Sequence, residues 1–263
     1  MQSISSKDNR ALKLARKVRD GKRPDEIFIE GKRLFDEAVR SGIEFEAVFV
    51  DERFDVNSAD LRAVPAESRY RISSQLMRGV ADTENPQGIV AIARRPNSGR
   101  EAIEKNLVHA GTGTVIYLNR INNPANLGAI FRTAEGSGAA GVVISSGSAA
   151  AFSPKSLRAA MGSAFRCAIW EGVEPYEAIA WAREKGLRLT ATEAAGSRPY
   201  TELEWQAPRL LILGSEAHGL PDEILREADE RVAIPLAGDV ESLNIAVAAG
   251  VLLFAAAATR GQG

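Results

Sequence analysis

The sequence has little of what disulfide-bonded, zinc-binding or membrane proteins need. It contains one cysteine, Cys167, so no disulfide can form within the chain. Only two histidines, His109 and His218, accompany it, which argues against a structural zinc site, and we expect no metal. No apolar run is long enough to cross a bilayer, and the first ten residues, MQSISSKDNR, hold no signal-peptide apolar segment. We therefore expect a cytoplasmic protein with no membrane partner.

Positive charge is concentrated at the amino terminus of a chain whose net charge is only −1. Residues 1–23 contain eight Lys or Arg and two Asp, a net charge of +6, so the remaining chain carries −7. Leu14 and Val18 lie on an apolar stripe at helical spacing, which predicts an amphipathic helix capped by Ser5 or Ser6. The charge asymmetry predicts one basic surface of the kind that binds nucleic acid, and a merely solvated basic face is the alternative. The cations on this surface are Arg10, Lys13, Arg16, Lys17 and Arg19.

The 263 residues, 45% hydrophobic and 25% charged, suffice for one large domain or two small ones. Residues 1–94 read as a small mixed α/β module that includes a short helix over Arg71–Arg78. The Pro, Gly and Ser content of residues 95–112 marks a linker with a short helix near Ala102–Leu107. Residues 113–263 alternate strand and helix, which predicts a parallel sheet covered on both faces. The predicted strands are Thr114–Leu118, Gly141–Ser145, Arg188–Thr192, Leu210–Leu213 and Val232–Ile234. The predicted helices are Leu127–Ser137, Lys155–Met161, Tyr176–Lys185, Asp222–Glu227 and Leu243–Ala258.

Three segments of the alternating region carry polar residues where parallel sheets bind ligands, after the carboxyl end of a strand. In the first, NPANLGAIFRTA, we expect Asn126 to cap a helix on which Arg132 is flanked by glycines and free to grip a phosphate. In the second, LGSEAHGL, Gly214 and Glu216 follow a buried strand, and glycine there permits close backbone contact with a ligand. In the third, IPLAGDVESLNIAVAAG, Ser242 and Asn244 open an apolar helix. Taken alone, each segment is more typical of an ordinary capped helix or turn than of a ligand-binding site.

Other nucleotide-binding and hydrolytic patterns do not fit. The GTG of residues 111–113 precedes its strand instead of following it, so a dinucleotide fingerprint is excluded. No GxxxxGK[ST] loop is present, and no GxSxG segment accompanies His218.

Taken together, the three segments resemble the three signature motifs of SpoU-type methyltransferases, a branch of the SPOUT superfamily. Order, spacing and residue types all match, and the resemblance covers roughly residues 113–260. Residues 1–94, with IFIEGKRLFDEAV and TENPQGIVAIA, look like the substrate-binding domain that precedes many SpoU catalytic domains. The resemblance implies a small amino-terminal α/β RNA-binding domain and a carboxyl-terminal parallel α/β domain with a deep trefoil knot.

The resemblance also implies a cofactor, a substrate and an assembly. S-adenosyl-L-methionine would be held bent by the knotted loops, largely through backbone groups, and two chains would form a homodimer through the knot, each active site taking residues from both. The substrate would be RNA, with ribosomal RNA favoured and transfer RNA the alternative. We predict that the basic amino-terminal helix binds it through Arg10, Lys13, Arg16, Lys17 and Arg19. The implied cofactor-binding residues are Leu213, Gly214, Ile234, Pro235, Leu236, Ser242, Leu243 and Asn244.

The implied reaction is methyl transfer to a ribose 2′-hydroxyl, with Asn126, Arg132, Glu216, Ser242 and Asn244 as the catalytic set. A hydroxyl is a poor nucleophile, so its proton must leave as the new bond forms. Guanidinium groups stay protonated in proteins, and we therefore expect Arg132 to stabilise the developing alkoxide and an adjacent phosphate. A non-catalytic RNA-binding or assembly factor of the same fold and a knotted methyltransferase acting on a base are the alternatives.

Overall fold

A computed structural model of the chain describes residues 1–96, 98–109, 113–193, 197–216 and 218–258. The chain forms two compact units, the first made of Met1–Pro96 and Phe152–Arg166, the second of Asn97–Ala151 and Cys167–Gly263. Within the described ranges no helix has the length and apolarity to cross a membrane. Helices and strands are numbered below in the order in which they occur along the chain.

The first unit is built on a five-stranded mixed sheet in the order β1-β4-β3-β5-β2. Strand β5 runs in the direction opposite to the other four strands. Helices α1 and α3 share one apolar core with the sheet. The strands are β1 (Gln2–Ile4), β2 (Glu26–Glu30), β3 (Phe45–Asp51), β4 (Arg69–Ile72) and β5 (Ile89–Arg94). The helices are α1 (Arg10–Arg19), α2 (Lys32–Arg40), α3 (Ser74–Val80) and α6 (Pro154–Ala160).

Helix α1 confirms the predicted amphipathic basic helix but begins later than expected. Its cap is Asn9, whose side chain accepts the backbone N–H of Ala11 at 2.8 Å. Ser5 and Ser6 do not cap it, because β1 pairs with β4 immediately before them and they belong to the turn that follows. The buried stripe is shifted as well, and consists of Leu12, Ala15 and Val18.

The first unit also contains a segment that the sequence pattern assigns to the carboxyl-terminal domain. Phe152–Arg166 packs with the amino-terminal strands, and Leu157 and Ala160 of α6 are fully buried there. Arg158 anchors the helix through Asp82, at 2.7 Å. The two units are therefore interleaved along the chain, which differs from the expected continuous boundary at residue 113, because sequence order does not reveal which sheet a helix covers.

The second unit is a seven-stranded, wholly parallel sheet in the order β10-β12-β9-β11-β6-β7-β8. The predicted parallel α/β fold of this region is therefore confirmed. The strands are β6 (Thr114–Leu118), β7 (Gly141–Ser145), β8 (Ile169–Val173), β9 (Arg188–Thr192), β10 (Arg198–Pro199), β11 (Arg209–Leu213) and β12 (Glu230–Ala233). The helices are α4 (Arg100–His109), α5 (Pro124–Ser137), α7 (Pro175–Glu184), α8 (Asp222–Glu227) and α9 (Ile245–Ala258). Single-turn 3₁₀ helices occupy Val56–Ser58, Leu61–Ala63, Ala66–Ser68, Ser163–Phe165 and Tyr200–Glu202.

The predicted linker, residues 95–112, is largely a structural part of the second unit. Helix α4 is longer than the short helix expected near Ala102–Leu107. It packs against β7 and β8, and its Ile103 is fully buried in the core. Residues 110–112 lie outside the described residues. The polar and glycine residues at both ends of the segment are the reason for predicting a linker. Its centre is part of the second unit because Ile103 is buried in the core.

Candidate functional site

Three adjacent strands, β12, β9 and β11, end side by side, and a cavity of about 220 Å³ lies at their carboxyl ends. This is the edge at which open parallel sheets bind ligands. Segments following each strand form its walls, and the start of α9 closes one side. Its lining residues are Thr192, Glu193, Leu213, Gly214, Ser215, Glu216, Gly219, Val232, Ile234, Leu236, Glu241, Ser242, Leu243, Ile245, Ala248 and Leu252.

The loop after β11 is a closed turn whose conformation depends on Gly214. Ser215 and Gly219 exchange two backbone hydrogen bonds, at 3.1 and 2.9 Å, which bring the ends of the loop together. A Cβ at Gly214 would lie 2.2 Å from the carbonyl carbon of Gly219. Glycine is therefore required at position 214 because the backbone of Gly219 packs directly against it. The sequence alone suggests instead that a ligand packs there.

Asn244 defines the start of α9. Its side chain accepts the backbone N–H of Ala246 at 3.0 Å, so the helix begins at Ile245 and not at Leu243 as predicted. The segment from Pro235 to Ser242 before it is exposed. Asn244 thus fixes the point at which the exposed segment AGDVES ends and α9 begins.

A network of three side chains, one from each signature motif, lies beside the cavity. Asn126 Nδ2 donates to Glu216 Oε1 at 2.5 Å. Asn244 Nδ2 lies 3.2 Å from the same carboxylate oxygen and 3.3 Å from Asn126 Oδ1. Asn126 is available for this role because Asn123 caps α5 in its place, accepting from Ala125 N–H at 2.9 Å. The cap predicted at Asn126 is therefore wrong, while its expected meeting with Glu216 and Asn244 occurs.

Arg132 lies apart from that network. It is exposed on α5, and among the described residues its guanidinium makes no hydrogen bond or ion pair. Ser242 lines the cavity, but its hydroxyl makes no hydrogen bond with the network in the described part of the chain. An unpaired guanidinium on an exposed helix face is free to bind an anionic group that the chain itself does not supply.

Most of the predicted cofactor residues do line the cavity, and they are Leu213, Gly214, Ile234, Leu236, Ser242 and Leu243. Pro235 is exposed and is not among the lining residues, and Asn244 contributes through the hydrogen-bonded network. Sequence reasoning missed Thr192, Glu193 and Glu241. Thr192 ends β9 and Glu193 follows it directly. The rule that ligands bind at the carboxyl ends of parallel strands could have predicted both.

The charges of the cavity suit a cationic ligand. Three carboxylates, those of Glu193, Glu216 and Glu241, line it, and none of the described lining residues is Lys, Arg or His. The remaining wall is largely apolar. These residues fit S-adenosylmethionine, which combines a sulfonium cation with an adenine ring that needs apolar surface.

A buried arginine holds together the strands that end at the cavity. Arg209, in the first position of β11, is 0% exposed. Its Nη1 donates to Thr190 Oγ1 of β9 at 2.8 Å and to Glu230 Oε2 of β12 at 3.2 Å, and Nη2 donates to the Glu204 carbonyl. The guanidinium also stacks over Trp205, 4.8 Å from the ring centre. Burial lowers the pKa of Arg209 below its usual range, and its three partners offset the cost of burying the charge.

The predicted RNA-binding cations of α1 fall into two groups. Lys13 pairs with Asp8 at 3.1 Å, Arg16 donates to the Lys7 carbonyl at 2.9 Å, and Arg19 donates to the Val80 and Ala81 carbonyls. By contrast, two residues are exposed and have no partner among the described residues, and they are Arg10 and Lys17.

Comparison with known proteins agrees with this arrangement. Residues 113–254 match the SpoU rRNA Methylase family, and residues 7–91 match the MRM3-like substrate binding domain. The chain belongs to the SpoU rRNA methylase family, which confirms the resemblance of the three motifs.

Three of its relatives match over nearly their whole length. The 23S rRNA (guanosine(2553)-2'-O)-methyltransferase RlmP of Bacillus subtilis (strain 168) is 30% identical, with 97% of this chain and 98% of that protein covered. The AdoMet-bound rRNA methyltransferase from Sinorhizobium meliloti has a TM-score of 0.82 at 29% identity, covering 100% of this chain and 98% of its own. The SpoU methyltransferase AviRb from Streptomyces viridochromogenes, in complex with AdoMet, has a TM-score of 0.84 at 26% identity, covering 97% and 99%.

Proposed function

We propose that this protein transfers a methyl group from S-adenosylmethionine to a ribose 2′-hydroxyl of ribosomal RNA. The observation that carries the proposal is the anionic cavity at the carboxyl ends of β9, β11 and β12, with the Asn126–Glu216–Asn244 network beside it. S-adenosylmethionine, when bound, would supply an electrophilic methyl group. Two of the relatives named above, those from Bacillus subtilis and Sinorhizobium meliloti, are rRNA methyltransferases, which favours that substrate over transfer RNA.

The residues of the chain have separable tasks in this reaction. The two amides of the network fix the carboxylate of Glu216 at the edge of the cavity. The hydroxyl of Ser242 lies on the cavity wall, where it can orient the cofactor. Arg132 would bind the phosphate next to the target ribose and stabilise the oxygen as its proton leaves. A bidentate guanidinium suits the phosphate, because two of its oxygens can accept parallel hydrogen bonds.

RNA binding is assigned in this proposal to residues 1–94, and catalysis to residues 113–263. The free cations of α1 support the first assignment, because phosphate contacts need side chains that are not already paired within the protein. The protein would act in the cytoplasm, where we place it on the sequence expectation alone.

The trefoil knot and the homodimer also belong to the proposal. The strand order supports a non-sequential path, since β11 lies between β6 and β9. Helix α9 supports the dimer: Val247 and Phe254, seven residues apart on one face, are each 53% exposed. Apolar side chains of this size on one helix face are typical of a covered interface. Sedimentation should give twice the 28.2 kDa of one chain.

A methyl-transfer assay tests the function. The protein, S-adenosylmethionine with a labelled methyl group and ribosomal RNA are incubated, and the RNA is digested to nucleosides for mass spectrometry. The expected product is a single 2′-O-methylated nucleoside, and the matched control is the same RNA with a 2′-deoxy sugar at the target position. Cofactor and RNA binding without transfer would indicate an assembly factor, and a methylated base would contradict ribose transfer.

A further inference from the structure

The three carboxylates of the cavity differ in how far the protein itself satisfies them. Glu216 accepts from the amides of Asn126 and Asn244. Glu193 accepts from the Ser197 hydroxyl at 2.5 Å and lies 4.0 Å from Arg231. Glu241 has no hydrogen-bond or ion-pair partner in the described part of the chain, although it lines the same cavity.

Glu241 lies close to the amino-terminal end of α9. It is exposed, three residues before the cap Asn244, so the positive end of the α9 dipole is nearby. No basic side chain among the described lining residues neutralises it. Its charge is therefore directed at whatever occupies the cavity.

The proposed reaction changes the charge of the cavity's ligand. S-adenosylmethionine carries a sulfonium, an ammonium and a carboxylate, a net charge of +1. After methyl transfer the sulfonium becomes a neutral thioether, and the product S-adenosylhomocysteine has no net charge. Unit charges about 4 Å apart interact by about 1 kcal/mol in water and about 4 kcal/mol near a protein surface, so one unpaired carboxylate is enough to distinguish the two molecules.

We infer that Glu241 makes the site prefer the sulfonium cofactor over its thioether product, an inference that rests on the proposed function. Glu216 and Glu193 are already hydrogen-bonded by partners from the chain, so their positions depend less on the ligand. The preference speeds exchange of product for fresh cofactor, because the product lacks the charge that held the substrate. Glu241 is thus a specificity residue, and the backbone groups of the loops need not discriminate between the two molecules.

Titration calorimetry with three ligands tests the inference: S-adenosylmethionine, S-adenosylhomocysteine, and sinefungin, in which an amine-bearing carbon replaces the sulfonium. The variant is Glu241→Gln, which keeps size and polarity and removes the charge. The matched control is Asp239→Asn, an exposed carboxylate of the same loop that does not line the cavity. Glu241→Gln should weaken the two cationic ligands about tenfold, a loss of about 1.4 kcal/mol, and change the affinity for S-adenosylhomocysteine less than about twofold.

Salt provides a second readout on the wild-type protein. Raising ionic strength from about 0.05 to about 0.5 M should reduce the ratio of the affinities for the cationic ligands to the affinity for S-adenosylhomocysteine, because exposed charge pairs are screened.

In the calorimetry of the variants, the control Asp239→Asn should leave all three affinities unchanged.

Two outcomes would overturn the inference while leaving the proposed function intact. Equal weakening of all three ligands would mean that Glu241 binds a part that they share, such as the ribose or the ammonium. Unchanged affinities in Glu241→Gln would mean that it lines the cavity without contacting the ligand. A wild-type protein that binds none of the three would instead contradict the proposed function itself, and the inference with it.

Discussion

At the scale of single residues, the site separates a hydrogen-bonded centre from a free cation. Asn126, Glu216 and Asn244 hold one another, so none of them needs a ligand to be positioned. Arg132 is held by nothing comparable among the described residues. The network is positioned before any ligand binds, whereas Arg132 acquires a partner only when a ligand binds. Substitutions in the two places should therefore have different effects on cofactor affinity and on the rate of methyl transfer.

Arg132→Ala should reduce methyl transfer by about 10²–10³-fold, the usual cost of removing one donor to a developing charge. S-adenosylmethionine affinity should stay nearly normal, because Arg132 does not line the cavity. Arg132→Lys should restore only part of the rate, since a point charge cannot replace the planar fork. Single-turnover assays and calorimetry measure the two effects, with Arg226→Ala, an exposed arginine of α8, as the control. Near-normal turnover by Arg132→Ala would reduce it to a surface residue.

Gly214→Ala should weaken S-adenosylmethionine binding at least about tenfold. The added Cβ would meet the Gly219 carbonyl carbon at 2.2 Å, and the loop must open to relieve an overlap that typically costs about 1–3 kcal/mol. The control is Gly79→Ala in α3, where nothing lies within 4 Å of the new methyl group. Calorimetry compares the two variants. Normal cofactor affinity in Gly214→Ala would show that the closed loop is not needed for binding.

At the scale of elements, the cavity exists because three strands are held in register beneath it. Arg209 joins β11 to β9 and β12 through Thr190 and Glu230. Removing one partner of a buried ion pair usually costs about 3–5 kcal/mol, because the other is left unsatisfied. Arg209→Ala should therefore lower the free energy of unfolding by about that amount, as measured by denaturant titration.

The ion pair between exposed Arg188 and half-buried Glu230 provides the comparison for Arg209. Arg188 is 44% exposed and lies 3.1 Å from the same glutamate. Surface ion pairs contribute about 0–1 kcal/mol, so Arg188→Ala should have little effect. Equal destabilisation of the two variants would rule out a special role for the buried arginine.

Helix α1 allows a sharper test of RNA binding than its total charge suggests. Arg19 supports the end of α3, so reversing its charge would disturb the fold as well as RNA binding. Arg10→Glu with Lys17→Glu avoids that problem. The double variant should weaken RNA binding regardless of sequence and lower its salt slope by about one unit for each phosphate that the helix no longer binds.

The control for α1 must change net charge equally outside the first unit. Arg183→Glu with Arg226→Glu does so at exposed positions of α7 and α8 in the second unit. Filter binding at several salt concentrations compares the two double variants. If the α1 variant binds RNA with wild-type affinity and salt slope, its basic face is only solvated.

The same scale shows what the sequence could predict. Buried parallel strands are largely apolar runs, and β6 and β7 have the predicted bounds. Strand β9, RLTAT, also has them, although its polar and apolar residues alternate. Strand β8, IWEGV, was missed because Glu171 and Gly172 interrupt the run at the edge of the sheet. Strand β4 replaces the first residues of a helix predicted over Arg71–Arg78, because its pairing with β1 and β3 outweighs local preference.

At the scale of the whole molecule, the three motifs predicted which distant residues meet, and the predicted helices and strands did not. The meeting of Asn126, Glu216 and Asn244, 118 positions apart at its widest, followed from the resemblance of three segments to one family. Glu193 and Glu241 did not, since single acidic residues in polar loops have no distinctive pattern. The interleaving of Phe152–Arg166 with the amino-terminal sheet was equally invisible, because it depends on long-range packing that sequence periodicity does not encode.

The most direct test of the central claim is a map of 2′-O-methyl groups in cellular RNA with and without this gene. Ribose methyl transfer to ribosomal RNA predicts that one ribosomal position is unmethylated without the gene. The wild-type gene should restore the methyl group, and the gene carrying Arg132→Ala should not. A missing methyl group at a transfer RNA position would move the substrate to that RNA. An unchanged map of ribosomal and transfer RNA, with the protein present in the wild-type cells, would contradict the account.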